Sequence, residues 1–397
     1  MPYALVVGDI DLVRSVGQAG IPLFVCSHYE ENIGFHSRYC RRPVHVARTS
    51  SEGFARDLIE FGKAHGEKIV FFSDDDRAVM NFSEHREELG KYYYYNLPEH
   101  SMVKAVLDKR EFATLARERN IPAPVMFTPS SLEELQKIID KIPFPCVIKP
   151  ANKHDWWHPK FHEIVGPYQK AIRCDSKDEL IHWYKKVVQI NNDIIVQEYV
   201  AGNDAHLYSI NMYFNRKQEM LAYFIGHKLR IFPIHAGVAT LAVTVDDPGI
   251  RDLAVDIARK LNITGHLNIQ FKQDPDTKAL KVLEIHARNS TWCHLSTAAG
   301  RNITGIAYYD MIGQKCPLPD RYETGVKWLD ISKDVKAFLA YRRAGEMTLG
   351  AWLSSLRGPT VHHLWSLQDP KPALMETWYI MRRRFRRKIV SGAAPQE

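Results

Sequence analysis

The feature of this chain that most restricts its fold is a series of short apolar runs near the N-terminus that do not alternate. Tyr3-Ala-Leu-Val-Val-Gly8, Ile21-Pro-Leu-Phe-Val-Cys26 and Lys68-Ile-Val-Phe-Phe72 are the clearest. A strand with one wet face alternates apolar and polar side chains, so an unbroken run must be covered on both faces. A parallel sheet with helices above and below meets that condition. Asp11–Ala19, closed by Gly20, reads as the first of those helices. Residues 1–98 therefore read as a small Rossmann-like α/β domain. Its first turn, Gly8-Asp-Ile-Asp11, lacks the glycines that let a dinucleotide pyrophosphate approach the backbone, so no nicotinamide or flavin site is expected there. Asp74-Asp75-Asp76 after the third run either lines a cleft at the sheet's carboxyl edge or caps the next helix.

A different rhythm starts near Ser101. Asp108-Lys109 opens a helix reaching about Arg119, and Phe144–Pro150 and Asp193–Val200 read as strands. Strands His206–Phe214, Met220–Arg230 and Val238–Val245 come next, then a helix, Ile250–Leu261. Gly265–Phe271 and Leu280–Ile285 look like paired strands joined through the turn-forming Asp274-Pro275-Asp276. Later, Thr348–Leu356 and a segment from about Ala373 read as helices, separated by the break Asp369-Pro-Lys-Pro372.

Composition removes several function classes. With 397 residues, 45% hydrophobic and 25% charged, the chain has the make-up of a soluble protein of more than one domain. No apolar stretch reaches the roughly 18 to 20 residues a membrane span needs. Met1–Ile10 has no basic region ahead of it and reads as a first strand, not a signal peptide. The six cysteines are scattered without a CxxC pair, which fits reduced thiols in a cytoplasmic protein and no zinc site. The net charge of +7 is concentrated in Arg382, Arg383, Arg384, Arg386, Arg387 and Lys388, and the remainder is nearly neutral. A nucleic-acid-binding body is therefore not expected.

The most informative stretch is Val282-Leu-Glu284-Ile-His286-Ala-Arg288-Asn289. In a strand Glu284, His286 and Arg288 share one face. Burying such charges is costly unless they pair or hold an ion. Gln270 lies on the hairpin partner, and carboxylate and amide oxygens suit magnesium. A structural Glu284–Arg288 ion pair is the competing reading. Lys149 sits within an apolar strand, and Lys109 opposes the dipole at a helix start. Both are either surface lysines or partners of phosphate oxygens.

The ordered set Asp108-Lys109, Val147-Ile-Lys149-Pro, Val196-Gln-Glu-Tyr-Val-Ala-Gly202 and Glu284-Ile-His-Ala-Arg288 resembles the ATP-grasp ligases, over roughly residues 1–310. The resemblance implies an ATP-grasp fold, α/β and α+β in class, with residues 1–98 as a pre-ATP-grasp domain. It implies an ATP-grasp domain over 99–312, with subdomains of about 99–198 and 199–312, and a helical extension over 313–397 that ends in a basic amphipathic tail. It implies ATP as cofactor, with Mg²⁺ or alternatively Mn²⁺. Lys109 and Lys149 would contact its phosphates. Gln197, Glu198, Tyr199 and Val200 would form the hinge that meets adenine, with backbone groups of Glu198 and Val200 reading its edge. Asp204 would accept from the ribose. Lys228 and Arg230 would reach the γ-phosphate or acyl phosphate, and Arg288 would stabilise developing negative charge. Glu284 matches the bridging metal ligand, and Gln270 and His286 stand where the family commonly has Glu or Asp and Asn.

The activity implied is amide formation from a carboxylate and an amine through an acyl phosphate. The substrates implied are an amino acid and, as one option, a uronic acid or glycan of cell-surface polysaccharide synthesis. A soluble dipeptide-type ligase and a non-catalytic nucleotide-binding partner of a membrane assembly are the rival readings, and a homodimer fits the family. Trp156 and Trp157, in the loop after Lys149, either stack on a substrate or pack on the neighbouring domain. Cys293 and His294 read as structural. Residues 373–397 mix Trp378, Tyr379, Ile380 and Phe385 with six basic residues. That is the composition of an interfacial helix on the inner, anionic face of a membrane. An acidic-polymer site and a solvated tail are the alternatives.

Overall fold

The computed structural model describes residues 1–151, 161, 163–164, 171–235 and 237–391, with side chains of the last helix described as far as Arg383. Trp156 and Trp157 lie outside the described residues.

Three sheets organise the chain. The first contains β1 (Ala4–Val7), β2 (Leu23–Ser27), β3 (Cys40–His45), β4 (Ile69–Ser73) and β5 (Tyr93–Tyr94), in the order β3-β2-β1-β4-β5 with every pairing parallel. Every residue of β1, β2 and β4 is buried, as the unbroken apolar runs demand. Ala4, Val6, Val25 and Phe72 face one core with helix Ile10–Gln18. Leu5, Val7, Phe24 and Phe71 face another with helix Glu52–His65. Gly17 permits the first helix to sit tight on its neighbours, since a Cβ there would come 2.2 Å from the Tyr39 ring.

The second sheet is antiparallel, ordered β6-β9-β7-β8 from β6 (Met126–Phe127), β7 (Cys146–Pro150), β8 (Ile172–Cys174) and β9 (Ile194–Glu198). Helices Leu132–Ile138 and Lys177–Val187 contribute Leu135, Leu180 and Tyr184 to a core shared with Ile148 and Val196.

The third sheet runs β14-β13-β10-β11-β12-β15-β16. It is built from β10 (Leu207–Phe214), β11 (Met220–Phe232), β12 (Val238–Val245), β13 (Gly265–Gln273), β14 (Leu280–His286), β15 (Lys327–Leu329) and β16 (Thr360–His362). All its pairings are antiparallel except β15 with β16. The residues after 312 are thus not helical alone: two of their strands complete this sheet.

Those residues also lock the domains together. Arg14, fully buried in the first helix, reaches Asp369 at 3.2 Å and the carbonyls of His363 and Leu364 at 2.7 and 2.9 Å. The Trp328 indole donates to buried Asp11 at 2.7 Å. The C-terminal helix, Lys371–Ser391, rests on the first domain through buried Tyr379, whose hydroxyl lies 2.8 Å from His36 Nε2. Among the described residues no helix is long and apolar enough to cross a membrane.

Candidate active site

The three sheets converge at the end of β14. Gln270 of β13 stands opposite Glu284 of β14 in the antiparallel register. Beyond the strand, Asn289 N–H donates to the Ser73 carbonyl at 3.1 Å, which docks this loop on the carboxyl end of β4. A line of polar contacts results. Lys228 Nζ donates to Gln270 Oε1, and Gln270 Nε2 lies 3.4 Å from Glu284 Oε2. Glu284 Oε2 meets His286 Nε2 at 3.3 Å, and His286 Nδ1 meets Asp76 Oδ1 at 3.1 Å. Asp76 then takes Arg288 through both oxygens, at 2.6 and 3.1 Å.

Arg288 therefore pairs with Asp76 of the first domain and not with Glu284. Both readings of the aspartate run apply. Asp75 caps helix Asp76–Glu84, accepting from Arg77 and Ala78 N–H, while Asp76 enters the cleft. Asp74 is buried and accepts from Asp9 N–H; burial and the neighbouring Asp9 charge push its carboxyl up to about 7.

The electrostatics match these contacts. Burial raises the Glu284 carboxyl, but the His286 hydrogen bond and the charges of His286, Lys149 and Lys228 outweigh it and hold the group well below the usual carboxylate range. Asp76 behaves likewise under His286 and Arg288. Burial lowers His286, yet its two carboxylate partners raise it above its ordinary value. Half of the Glu284 side chain remains open to solvent.

Lys149 faces this carboxylate, with Lys109 beside it. Lys149 on β7 is pushed down to about 8 by burial and by the adjacent Lys109 charge, against the pull of Glu284. Lys109 follows the helix cap Asp108, and its Nζ donates to the Pro150 carbonyl at 3.3 Å beside Lys149. On the hinge strand, Gln197 Oε1 is buried without a hydrogen-bond partner. Tyr199 carries the Arg173 guanidinium at 4.6 Å and the Lys272 ammonium at 5.1 Å from its ring centre. Val200 is buried beside it.

Other expected residues are engaged elsewhere. Arg230 is 1% exposed and forms a two-toothed pair with Asp334, at 2.8 Å on each arm. The γ-phosphate role expected of Arg230 therefore competes with this buried pair and with Ser355, whose hydroxyl takes the third nitrogen at 2.6 Å. Asp204 accepts from the Tyr341 hydroxyl at 2.6 Å and His235 N–H at 2.8 Å through the same oxygen, so the expected ribose contact competes with a tie to helix Ile331–Arg343. The Glu198 N–H goes to the Val125 carbonyl, and its carboxylate binds Lys281 at 3.0 Å. That backbone donor is not available to a base edge. Cys293 and His294 are buried, with Cys293 against Ser15, as structural residues.

These residues fit a nucleotide triphosphate and one metal ion, not a preassembled two-metal cage. The neighbouring Lys149 and Lys109 suit an anion, and the buried Gln197 oxygen suits a donor. Glu284 offers the hard oxygen that Mg²⁺ prefers. His286 is a poor ligand here, since both ring nitrogens face carboxylates and its raised pKa favours the cation. Gln270 turns its oxygen to Lys228 and its amide nitrogen toward Glu284. Among the described residues, no group of three or more His, Cys, Asp or Glu gathers to hold a metal. Remaining ligands would be phosphate and water oxygens.

The chain is similar to several known proteins. A family model described as "ATP-grasp in the biosynthetic pathway with Ter operon" matches residues 191–332. D-aspartate ligase of Enterococcus faecium is 23% identical over 291 residues, covering 70% of this chain and 68% of that protein. The carbamoyl phosphate synthase large chain of Methanothermobacter thermautotrophicus is 26% identical over 222 residues, which is 53% of this chain but only 20% of that much longer protein. Among solved structures, L-amino acid ligase from Bacillus licheniformis superposes with a TM-score of 0.57 at 14% identity, over 78% of this chain and 74% of that one. N5-carboxyaminoimidazole synthetase from Staphylococcus aureus, complexed with ADP, gives 0.61 at 13% identity over 82% and 81%. Residues 191–332 thus match an ATP-grasp family model, and the chain has the ATP-grasp fold, with a D-aspartate ligase among its relatives.

Proposed function

We propose that this chain is an ATP-dependent carboxylate–amine ligase that works through an acyl phosphate. The observation that carries the reading is Glu284 held ionised among Lys149, Lys228 and His286, next to the Arg288–Asp76 pair, where the three sheets meet. In this reading residues 1–98, 99–312 and 313–397 are its pre-ATP-grasp domain, ATP-grasp domain and extension.

Bound Mg-ATP supplies a phosphoryl group that gives the substrate carboxylate a leaving group. Glu284 would hold the metal, and Lys109 and Lys149 would fix the phosphates, with Lys228 on the reacting side. Arg288, aimed by Asp76, faces the negative charge that develops at the carboxylate. The amine nitrogen would then bond to the acyl carbon as the bond to phosphate oxygen breaks, with the amine's proton passing to the released phosphate. Closing of the two ATP-grasp subdomains would keep water from the acyl phosphate.

The name of the D-aspartate ligase relative supports an amino acid as one substrate. The resemblance of the basic tail to those of ATP-grasp proteins of surface-polysaccharide synthesis supports a uronic acid or glycan precursor as the other, met on the cytoplasmic side at the inner face of a membrane. The test is ADP release, screened with amino acids against uronic acids and other carboxylates. Release that needs both a carboxylate and an amine, and that Glu284→Ala abolishes, is the expected result. Nucleotide binding without any such release would leave a non-catalytic binding module.

A further inference from the structure

We infer that the outer face of the C-terminal helix is a docking surface for an anionic lipid bilayer and lies flat on it. Helix Lys371–Ser391 has two faces with different fates. Pro372, Ala373 and Tyr379 are buried against the first domain, and Arg383 pairs with Glu31 there at 2.7 Å. Leu374, Trp378 and Met381 stand at helical spacing on the other face, 57%, 46% and 51% exposed. The segment leading into the helix adds Trp365 and the fully exposed Leu367.

An exposed apolar ladder of this kind needs a cover, and the charge beside it selects which. The Arg382 guanidinium lies 5.3 Å from the centre of the Trp378 ring, at the rim of the ladder, with one nitrogen 3.6 Å from Glu31. The sequence continues with Arg384, Arg386, Arg387 and Lys388. A protein groove would match the ladder but leave these cations to chance. An acidic polymer would match the cations but leave the indole and the leucines in water. A bilayer with anionic headgroups meets both demands, its headgroup layer taking the cations and its acyl boundary the ladder. The inner face stays clamped to the first domain, so binding needs no unfolding of the helix. This inference stands apart from the ligase reading, because binding to vesicles needs neither ATP nor turnover.

The experiment is co-sedimentation of the full chain with vesicles of phosphatidylcholine alone, and of phosphatidylcholine mixed with phosphatidylglycerol. Preferential binding to the mixed vesicles is expected, weakened about tenfold or more as salt rises past physiological strength. A Leu374→Glu/Trp378→Glu/Met381→Glu chain should lose at least about tenfold in partition while keeping the wild-type unfolding temperature. No binding to mixed vesicles, or equal binding to both kinds, overturns the inference. So does wild-type partition by the triple variant. Binding of dextran sulfate as tight as that of the vesicles, and unchanged in the triple variant, would assign the charge to a polymer and overturn it too.

Discussion

Asp76 shows how one residue sets the geometry of a site. It stands at the first turn of a helix in one domain, yet both its oxygens hold Arg288 from another, and one also meets His286. In the ligase reading, Asp76→Asn should lower kcat about tenfold or more with the KM for ATP little changed, because it loosens a charge-stabilising group and not a nucleotide contact. A fall in ATP affinity instead would place Arg288 on the nucleotide. A second residue-scale expectation concerns pH. Burial lowers His363, but the charges and hydrogen bond of Asp11, with Asp9, raise it to about 9. A histidine raised on folding contributes stability that is complete below its ordinary value of about 6.5 and is lost as pH climbs through 9. The unfolding temperature should therefore fall across that window, and His363→Gln should remove that component. Parallel curves for the two proteins would refute the assignment.

At the scale of elements, β11 and helix Ile331–Arg343 are joined by the Arg230–Asp334 pair, with Thr240 and Trp352 also donating to Asp334 at 2.8 Å. Removing one partner leaves the other charge buried and alone. Arg230→Met should cost about 3–5 kcal/mol in denaturant unfolding, and adding Asp334→Leu should recover a large part of it. If Arg230→Met left stability intact but destroyed turnover, the phosphate role would return. The same scale explains the hinge strand. β9 presents Gln197 with a buried orphaned oxygen while the Glu198 donor is spent on Val125. Strand register, not residue type, decides which hinge groups are open to a base.

At the scale of the whole molecule, the C-terminal segment closes the structure. Ending the chain at residue 359 would remove β16, His363 and Asp369, and would leave Arg14 buried without its carboxylate. Such a chain should be destabilised by at least about 3–5 kcal/mol and aggregate on heating, as light scattering during a thermal ramp would show. Mg-ATP at about a hundred times its Kd should stabilise the intact protein by about 2.7 kcal/mol, and Glu284→Ala should lose the magnesium-dependent share. An equal thermal shift with and without Mg²⁺ would exclude Glu284 as a metal ligand.

Much of this was legible along the chain because it depends on local rules. Unbroken apolar runs require two-sided cover, so β1, β2 and β4 of the parallel sheet could be read from Tyr3–Gly8 and its two counterparts, whereas the edge strands β3 and β5 could not. The turn Asp274-Pro275-Asp276 joins β13 to β14, and side-chain alternation puts Glu284 and His286 on one face. Other features depend on partners far away in sequence, and no periodicity carries them. Arg230 has the composition of a phosphate ligand, yet Asp334 claims it across a fold that only packing creates. Arg288 turns from Glu284 to Asp76 because the loop after β14 docks on β4. The basic helix is plain in the sequence, but only its packing on Glu31 and His36 decides which face remains for a membrane. The sequence by itself determined the long apolar strands and which residues carry charge, since those follow from neighbours a few positions apart, while short strands such as β15 and β16 exist only through their partners. Tertiary structure alone decided which charges are spent in pairs and which stay open for chemistry, since a charge is satisfied by whatever lies within about 4 Å in space.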